Sequence, residues 1–189
     1  MLTRIAGLAL CACAMVFGVS TTVTAQTSVS DTAGDVSAGY SYMHDSASLN
    51  FNGVRVSSSK TLSPSWAAVV EVGVDRNGSG VYRSSSGTHS FTYTDTSVVG
   101  GVRLRRFDGT STMPFFQVLA GYFARRDTLN PNGTTVANFA VRTEVGLDVH
   151  VADHFALRFG GGWTFLNGGV RYMNQVGANA GVAYLFGRR

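Results

Sequence analysis

From Asn138 to Val151 the chain alternates with a period of two. Phe139, Val141, Thr143, Val145, Leu147, Val149 and Val151 fall on one face, and Asn138, Ala140, Arg142, Glu144, Gly146, Asp148 and His150 on the other. Successive side chains of a β-strand point to opposite faces, so this pattern demands a strand. The next segment repeats it: Phe155, Leu157, Phe159, Gly161, Trp163 and Phe165 stand against Ala156, Arg158, Gly160, Gly162 and Thr164. Trp66 to Asp75 and Val98 to Arg105 alternate in the same way, and convincing helical periodicity is absent. With 44% hydrophobic residues a disordered chain is excluded.

Eight such strands are predicted, over residues 35–44, 53–62, 65–76, 89–107, 113–125, 136–151, 155–166 and 174–186. Their connections alternate in length. Those after the second, fourth and sixth strands are tight: Ser63-Pro64, Asp108 to Thr112, and Ala152-Asp153-His154. Those after the first, third, fifth and seventh are mostly longer and polar: Asp45 to Asn52, Asn77 to Thr88, Arg126 to Thr135, and Asn167 to Met173. Short periplasmic turns and longer external loops give outer-membrane barrels this rhythm. An even strand count puts both termini on the short-turn side. If the turn at 152–154 is centred on Asp153, Asp148 lies opposite Arg158.

The faces are inverted relative to a soluble barrel. The charged face holds Arg55, Glu71, Asp75, Arg103, Arg105, Arg142, Glu144, Asp148 and Arg158, and the other face is broad and aliphatic. Glycines such as Gly39, Gly73, Gly101, Gly121, Gly146, Gly160, Gly162, Gly177 and Gly181 share the charged phase, leaving room for long arginines. Eight strands enclose a lumen that side chains fill. The expectation is therefore a salt-bridged plug with nearly balanced charge. A soluble sandwich would put the aliphatic face in its core, and aromatic placement argues against it. Trp66, Phe107, Phe116, Phe155, Tyr184 and Phe186 gather near the short-turn ends. Tyr40, Tyr42, Tyr93, Tyr122, Phe139, Trp163 and Phe165 gather near the long-loop ends. Two aromatic girdles around an aliphatic band match the two interfaces of a bilayer.

Residues 1–25 read as a secretory signal peptide, 26–34 as a short N-terminal segment and 35–189 as the barrel. Arg4 supplies the positive start, Ile5 to Val19 is an uncharged apolar run, and Val23-Thr24-Ala25 is a small-residue cleavage site. Cys11 and Cys13, the only cysteines, lie inside the apolar run, so the exported chain is expected to have no thiol chemistry. The 15 basic residues, of which only Lys60 is a lysine, are spread along the chain and form no nucleic-acid patch.

The signal peptide, the eight alternating strands and the last strand, Val182-Ala183-Tyr184-Leu185-Phe186, together resemble the small outer-membrane barrels of the OmpA/OmpX type. The resemblance implies an all-β fold, an eight-stranded antiparallel up-and-down transmembrane β-barrel. It also implies delivery to the outer membrane and recognition of the last strand by the barrel-assembly machinery. Here Phe186 is followed by Gly187-Arg188-Arg189, a departure from a terminal aromatic.

Candidate chemistry is sparse, and no enzyme activity, cofactor or metal site is expected. His44-Asp45-Ser46 has the letters of the set used by palmitoyl-transferring barrels. A contiguous tripeptide does not assemble that geometry, because adjacent strand residues point oppositely. Asn77-Gly78-Ser79 and Asn132-Gly133-Thr134 fit a glycosylation pattern but read better as turn chemistry. The expected role is a structural or surface-interaction one; a narrow solute pore and a lipid-modifying enzyme are the alternatives. Arg76, Arg83, Arg125, Arg126 and Arg171 fall at or beyond the long-loop ends, where lipopolysaccharide carries phosphates that arginine binds bidentately; the alternative is that they solvate the loops or pair with Asp75, Asp95 and Asp127. The expected partners are outer-membrane lipid and lipopolysaccharide, and the chain is expected to act as a monomer.

Overall fold

The alternating segments pair with their neighbours in sequence, and the first closes on the last. In the computed structural model, which describes residues 33–78, 80–84, 87–105, 111–127, 134–168 and 171–187, they form a closed antiparallel barrel of eight strands. The barrel strands are β1 (Gly34–Asp45), β2 (Asn50–Ser63), β3 (Trp66–Asn77), β6 (Tyr93–Arg105), β7 (Thr112–Asp127), β8 (Thr135–Ala152), β9 (Phe155–Gly168) and β10 (Arg171–Phe186). Between β3 and β6 a small separate hairpin is made by β4 (Gly80–Ser84) and β5 (Gly87–Phe91). Closure leaves no unpaired sheet edge in the barrel. The proposed signal peptide and the turn residues 106–110, with Phe107, lie outside the described residues.

Three expectations about the strands are corrected. The fourth predicted strand, residues 89–107, is two objects: His89 belongs to the loop hairpin, and the barrel strand starts at Tyr93. The junction is stapled from below, where Asn77 Oδ1 accepts the backbone N–H of Tyr93 at 2.6 Å. The polar loop expected from Asn167 to Met173 is mostly strand, because Tyr172 and Met173 pair with Asn167 and Leu166. Tyr93, assigned to the outer girdle, shares the inward parity of β6 with Asp95 and Ser97, and the Arg125 guanidinium lies 5.4 Å from its ring centroid.

The first loop is a tight turn organised by Asp45. Its carboxylate accepts the N–H groups of Ala47 at 2.9 Å and Leu49 at 3.0 Å, and Ser48 takes a positive φ of 62°. Side-chain acceptance of nearby N–H groups is what makes aspartate a turn former.

Burial alternates as the sequence pattern requires. Outward positions keep large apolar side chains exposed, among them Val54, Val56, Tyr122, Phe139, Val145, Phe159, Trp163 and Val176. In water such a surface would be a liability far larger than the apolar patch of an ordinary monomer; against lipid it is the required surface. On β1 and β2 the upper tyrosines reach polar caps: Tyr40 donates to Asn52 Oδ1, and Tyr42 donates to Asn50 Oδ1 at 2.9 Å. An aromatic body with a hydrogen-bonded polar tip suits an interface that is apolar on one side and wet on the other.

Candidate functional site: the charged lumen

Inward parity carries six arginines and seven carboxylates among the described buried residues. All nine residues expected in the lumen are there: Arg55, Glu71, Asp75, Arg103, Arg105, Arg142, Glu144, Asp148 and Arg158. Four more were missed: Asp35, Asp45, Asp95 and Arg125. The expected small surplus of positive charge is thus replaced by a surplus of one carboxylate. The groups segregate into three tiers along the barrel.

The tier nearest the short turns is built on Asp35, which is fully buried. Its carboxylate accepts a hydrogen bond from Arg105 Nη2, another from Arg158 Nη1 at 3.0 Å and a third from the Ser59 hydroxyl; Arg103 Nη1 lies 3.5 Å away. Arg158 also clasps Asp148 with two parallel bonds, Nε to Oδ1 at 2.7 Å and Nη2 to Oδ2 at 2.8 Å. Asp148 and Arg158 are directly opposed across the β8–β9 hairpin, in the register expected from a turn centred on Asp153. Arg103 donates through Nε to Gln117 at 2.8 Å, while its Nη1 has no hydrogen-bond partner. The Phe115 ring lies under both Arg103 and Arg158, at 4.9 and 5.5 Å from the ring centroid. A Cβ at Gly146 would strike that ring, so this glycine makes room for the aromatic support.

The middle tier is looser. Arg142 donates to Glu71 through Nη1 and to Thr164 through Nε at 3.0 Å, and the Ser41 hydroxyl donates to Asp75. Arg55 stands 4.0 Å from both Glu71 and Glu144, and its Nε has no hydrogen-bond partner. Gly73 makes the room for it: a Cβ there would come within 3.3 Å of Arg55 Cγ. Around Arg55, Arg103, Glu71 and Glu144 is a cavity of about 30 Å³, room for about two waters.

The tier nearest the long loops reverses the first. Here one arginine serves two carboxylates. Arg125 donates to Asp95 through Nε and Nη2, both at 2.8 Å, and to Asp45 through Nη1 at 3.0 Å. Phe51 lies beneath the guanidinium at 4.7 Å, and Gln175 donates to Asp95 at 3.1 Å.

This placement removes Arg125 from the set expected to face lipid phosphate and agrees with the alternative, pairing with Asp95. It points into the lumen because Arg125 and Arg126 are adjacent in a strand and must face opposite ways. Parity with Gly121 was the available signal. Arg76 and Arg126 face outward and are exposed. Arg83 and Arg171 lie in strands, but their side chains are outside the described set.

Buried apolar clusters accompany the charged tiers, another feature the charge pattern did not announce. Val69, Val99 and Leu119 form one buried cluster, Phe123, Ala140 and Leu166 a second, and Ala156, Ala183 and Leu185 a third. Three histidines make local structural contacts: His44 with Asn50 Oδ1, His150 with the Ser111 carbonyl, and His154 with the Leu185 carbonyl.

The chain matches no protein-family model and no curated protein. Its fold does match solved structures. Neisserial surface protein A (NspA) superposes with a TM-score of 0.63 at 13% identity, covering 85% of this chain and 100% of that one. OprG, an outer membrane protein from Pseudomonas aeruginosa, gives 0.60 at 12% identity, covering 82% and 97%. Ail, the attachment invasion locus protein of Yersinia pestis, gives 0.56 at 13% identity, covering 81% and 97%. The chain therefore has the fold of the small eight-stranded outer-membrane barrels.

Proposed function

We propose that this chain is a bacterial outer-membrane barrel protein with a structural or surface-interaction role. It is a monomer, is exported through a cleaved signal peptide and is inserted by the barrel-assembly machinery. The observation that carries this reading is the inversion of the barrel, with thirteen charged groups buried inside and a nearly uncharged apolar exterior. Such a surface is stable only against lipid. The interlocked lumen and its small cavity favour a plug over a solute pathway, and leave the external loops as the part available to partners. The fold neighbours include a protein named for attachment and invasion, which agrees with a surface role.

Three measurements test the proposal together. The expressed chain should fractionate with outer membranes, should migrate differently on gels before and after heating, and should give no steady channel in planar bilayers. Recovery in the soluble periplasm would overturn the membrane reading. Ohmic openings on the order of a nanosiemens would overturn the plug, since eight strands with a filled interior leave no such passage.

A further inference from the structure

The outward face of the barrel is nearly free of charge, and its exceptions are not scattered. At described outward positions of the barrel strands, apart from the imidazole of His44, the charged side chains are Lys60, Arg76 and Arg126. Lys60 stands near the short-turn end, paired with Gly34 and Ala68. Arg76 and Arg126 stand at the long-loop end and share one row. Pairing runs from Tyr42 to Asn52, Arg76, Thr94, Arg126 and Thr135 across β1, β2, β3, β6, β7 and β8. The two arginines are thus separated by one strand, roughly 10 Å at the usual spacing, with the Thr94 hydroxyl between them. Both are exposed, and neither has a hydrogen-bond or ion-pair partner among the described residues.

What lies around the pair is equally specific. One step toward the membrane, the same strands carry Val74, Thr96 and Ala124, none of them bulky. The tyrosine caps of β1 and β2 mark the polar edge of the apolar band at this level. Every buried arginine of the barrel has a carboxylate within 4.0 Å. Among the described arginine side chains, Arg76 and Arg126 have none.

We infer that Arg76 and Arg126, with Thr94 between them, form a binding site for a phosphate of outer-leaflet lipopolysaccharide, whose acyl chains lie over Thr96 and Ala124. Guanidinium groups bind phosphate with paired hydrogen bonds, and two of them flanking one hydroxyl supply donors on three sides. The inference rests on the outer-membrane reading above.

The test uses the full chain folded in neutral detergent, titrated with lipopolysaccharide and with the same lipid after enzymatic removal of its phosphates. The rise in the thermal unfolding midpoint reports binding. The unmodified protein should bind the phosphorylated lipid at least about tenfold more tightly. Arg76→Gln and Arg126→Gln should each lose most of that preference, and the double variant all of it. Lys60→Gln removes the same charge at the other end of the same face and should keep the preference. Arg126→Lys retains charge without the fork and should fall between. Equal binding of both lipids by the unmodified protein would overturn the site. So would a double variant that keeps its preference, or a Lys60→Gln variant that loses as much. Heat-modifiable migration of each variant checks its folding. Fractionation of the unmodified protein decides the outer-membrane reading separately.

Discussion

The two ends of the lumen solve the same problem with opposite signs. Near the short turns, Asp35 and Asp148 hold Arg103, Arg105 and Arg158; near the long loops, Arg125 holds Asp45 and Asp95. The difference matters because the two kinds of charge fail differently. A carboxylate left without its cation can take up a proton and become neutral. A guanidinium cannot lose its charge in a protein. The short-turn end therefore has no escape when its hub is removed, and the long-loop end has one.

The largest effect should come from Asp35→Asn. The substitution keeps the side-chain shape but leaves three mutually repelling guanidiniums around a neutral amide. Removing one partner of a buried ion pair costs about 3–5 kcal/mol, and Asp35 serves three arginines. A loss of about 5 kcal/mol is expected in urea unfolding from detergent, at all pH values where the arginines stay charged. A loss under about 2 kcal/mol would mean that water reaches this tier and screens it.

Asp148→Ala comes next, at about 3 kcal/mol. It removes the bidentate clasp on Arg158 but leaves Arg158 its bond to Asp35. Asp153→Ala, in the exposed turn of the same hairpin, should cost about 1 kcal/mol or less. Equal losses would count against the observed pairing of Asp148 with Arg158.

Arg125→Gln tests the other end. Asp95 would keep its bond from Gln175, and Asp45 would keep two backbone N–H groups. The expected loss is about 2 kcal/mol at neutral pH, and it should shrink as pH falls and the freed carboxylates take up protons. A deficit that does not change between neutral and mildly acidic pH would break the contrast between the two ends.

How much of this was legible depends on which pattern a residue obeys. Where one face is charged and the other aliphatic, as in β8 and β9, period-two alternation reported strand, face and register together, and the Asp148–Arg158 pair followed from one turn. In β7 both faces are apolar, with Phe115, Leu119 and Phe123 inside and Phe116, Val118 and Tyr122 outside. The phase there is carried by Gly121, Phe116 and Tyr122 rather than by charge, and Arg125 stands beside Arg126 at the loop end, where nearness to the rim masks the difference in parity. Asp35 and Asp45 stand at the two ends of β1, where an aspartate reads as a boundary or turn residue. Their partners come from strands that are distant in sequence, and strand alternation carries no information about such contacts. The β4–β5 hairpin was missed because Gly78 to Thr88 is rich in Gly and Ser, the composition of a loop.

The smallest effects sharpen the contrast most cleanly, because they change no charge. Each end has one buried glutamine beside its hub. Gln117 accepts from Arg103 Nε, which is the hydrogen bond Arg103 makes in the lumen, since its Nη1 has none. Gln175 donates to Asp95, which also holds a bidentate arginine, and the Gln175 Oε1 is itself unpartnered. Methionine matches glutamine in length and has no comparable polar groups. Gln117→Met strips a buried cation of its acceptor and should cost about 2 kcal/mol. Gln175→Met removes one donor from a well-supplied carboxylate together with one unsatisfied oxygen. The two changes nearly offset, and the net cost should be about 0.5 kcal/mol. Unfolding midpoints of the two variants in the same detergent give the comparison directly. If Gln175→Met proves the costlier, the long-loop end is the tightly balanced one, and the asymmetry argued from the chemistry of arginine and aspartate fails.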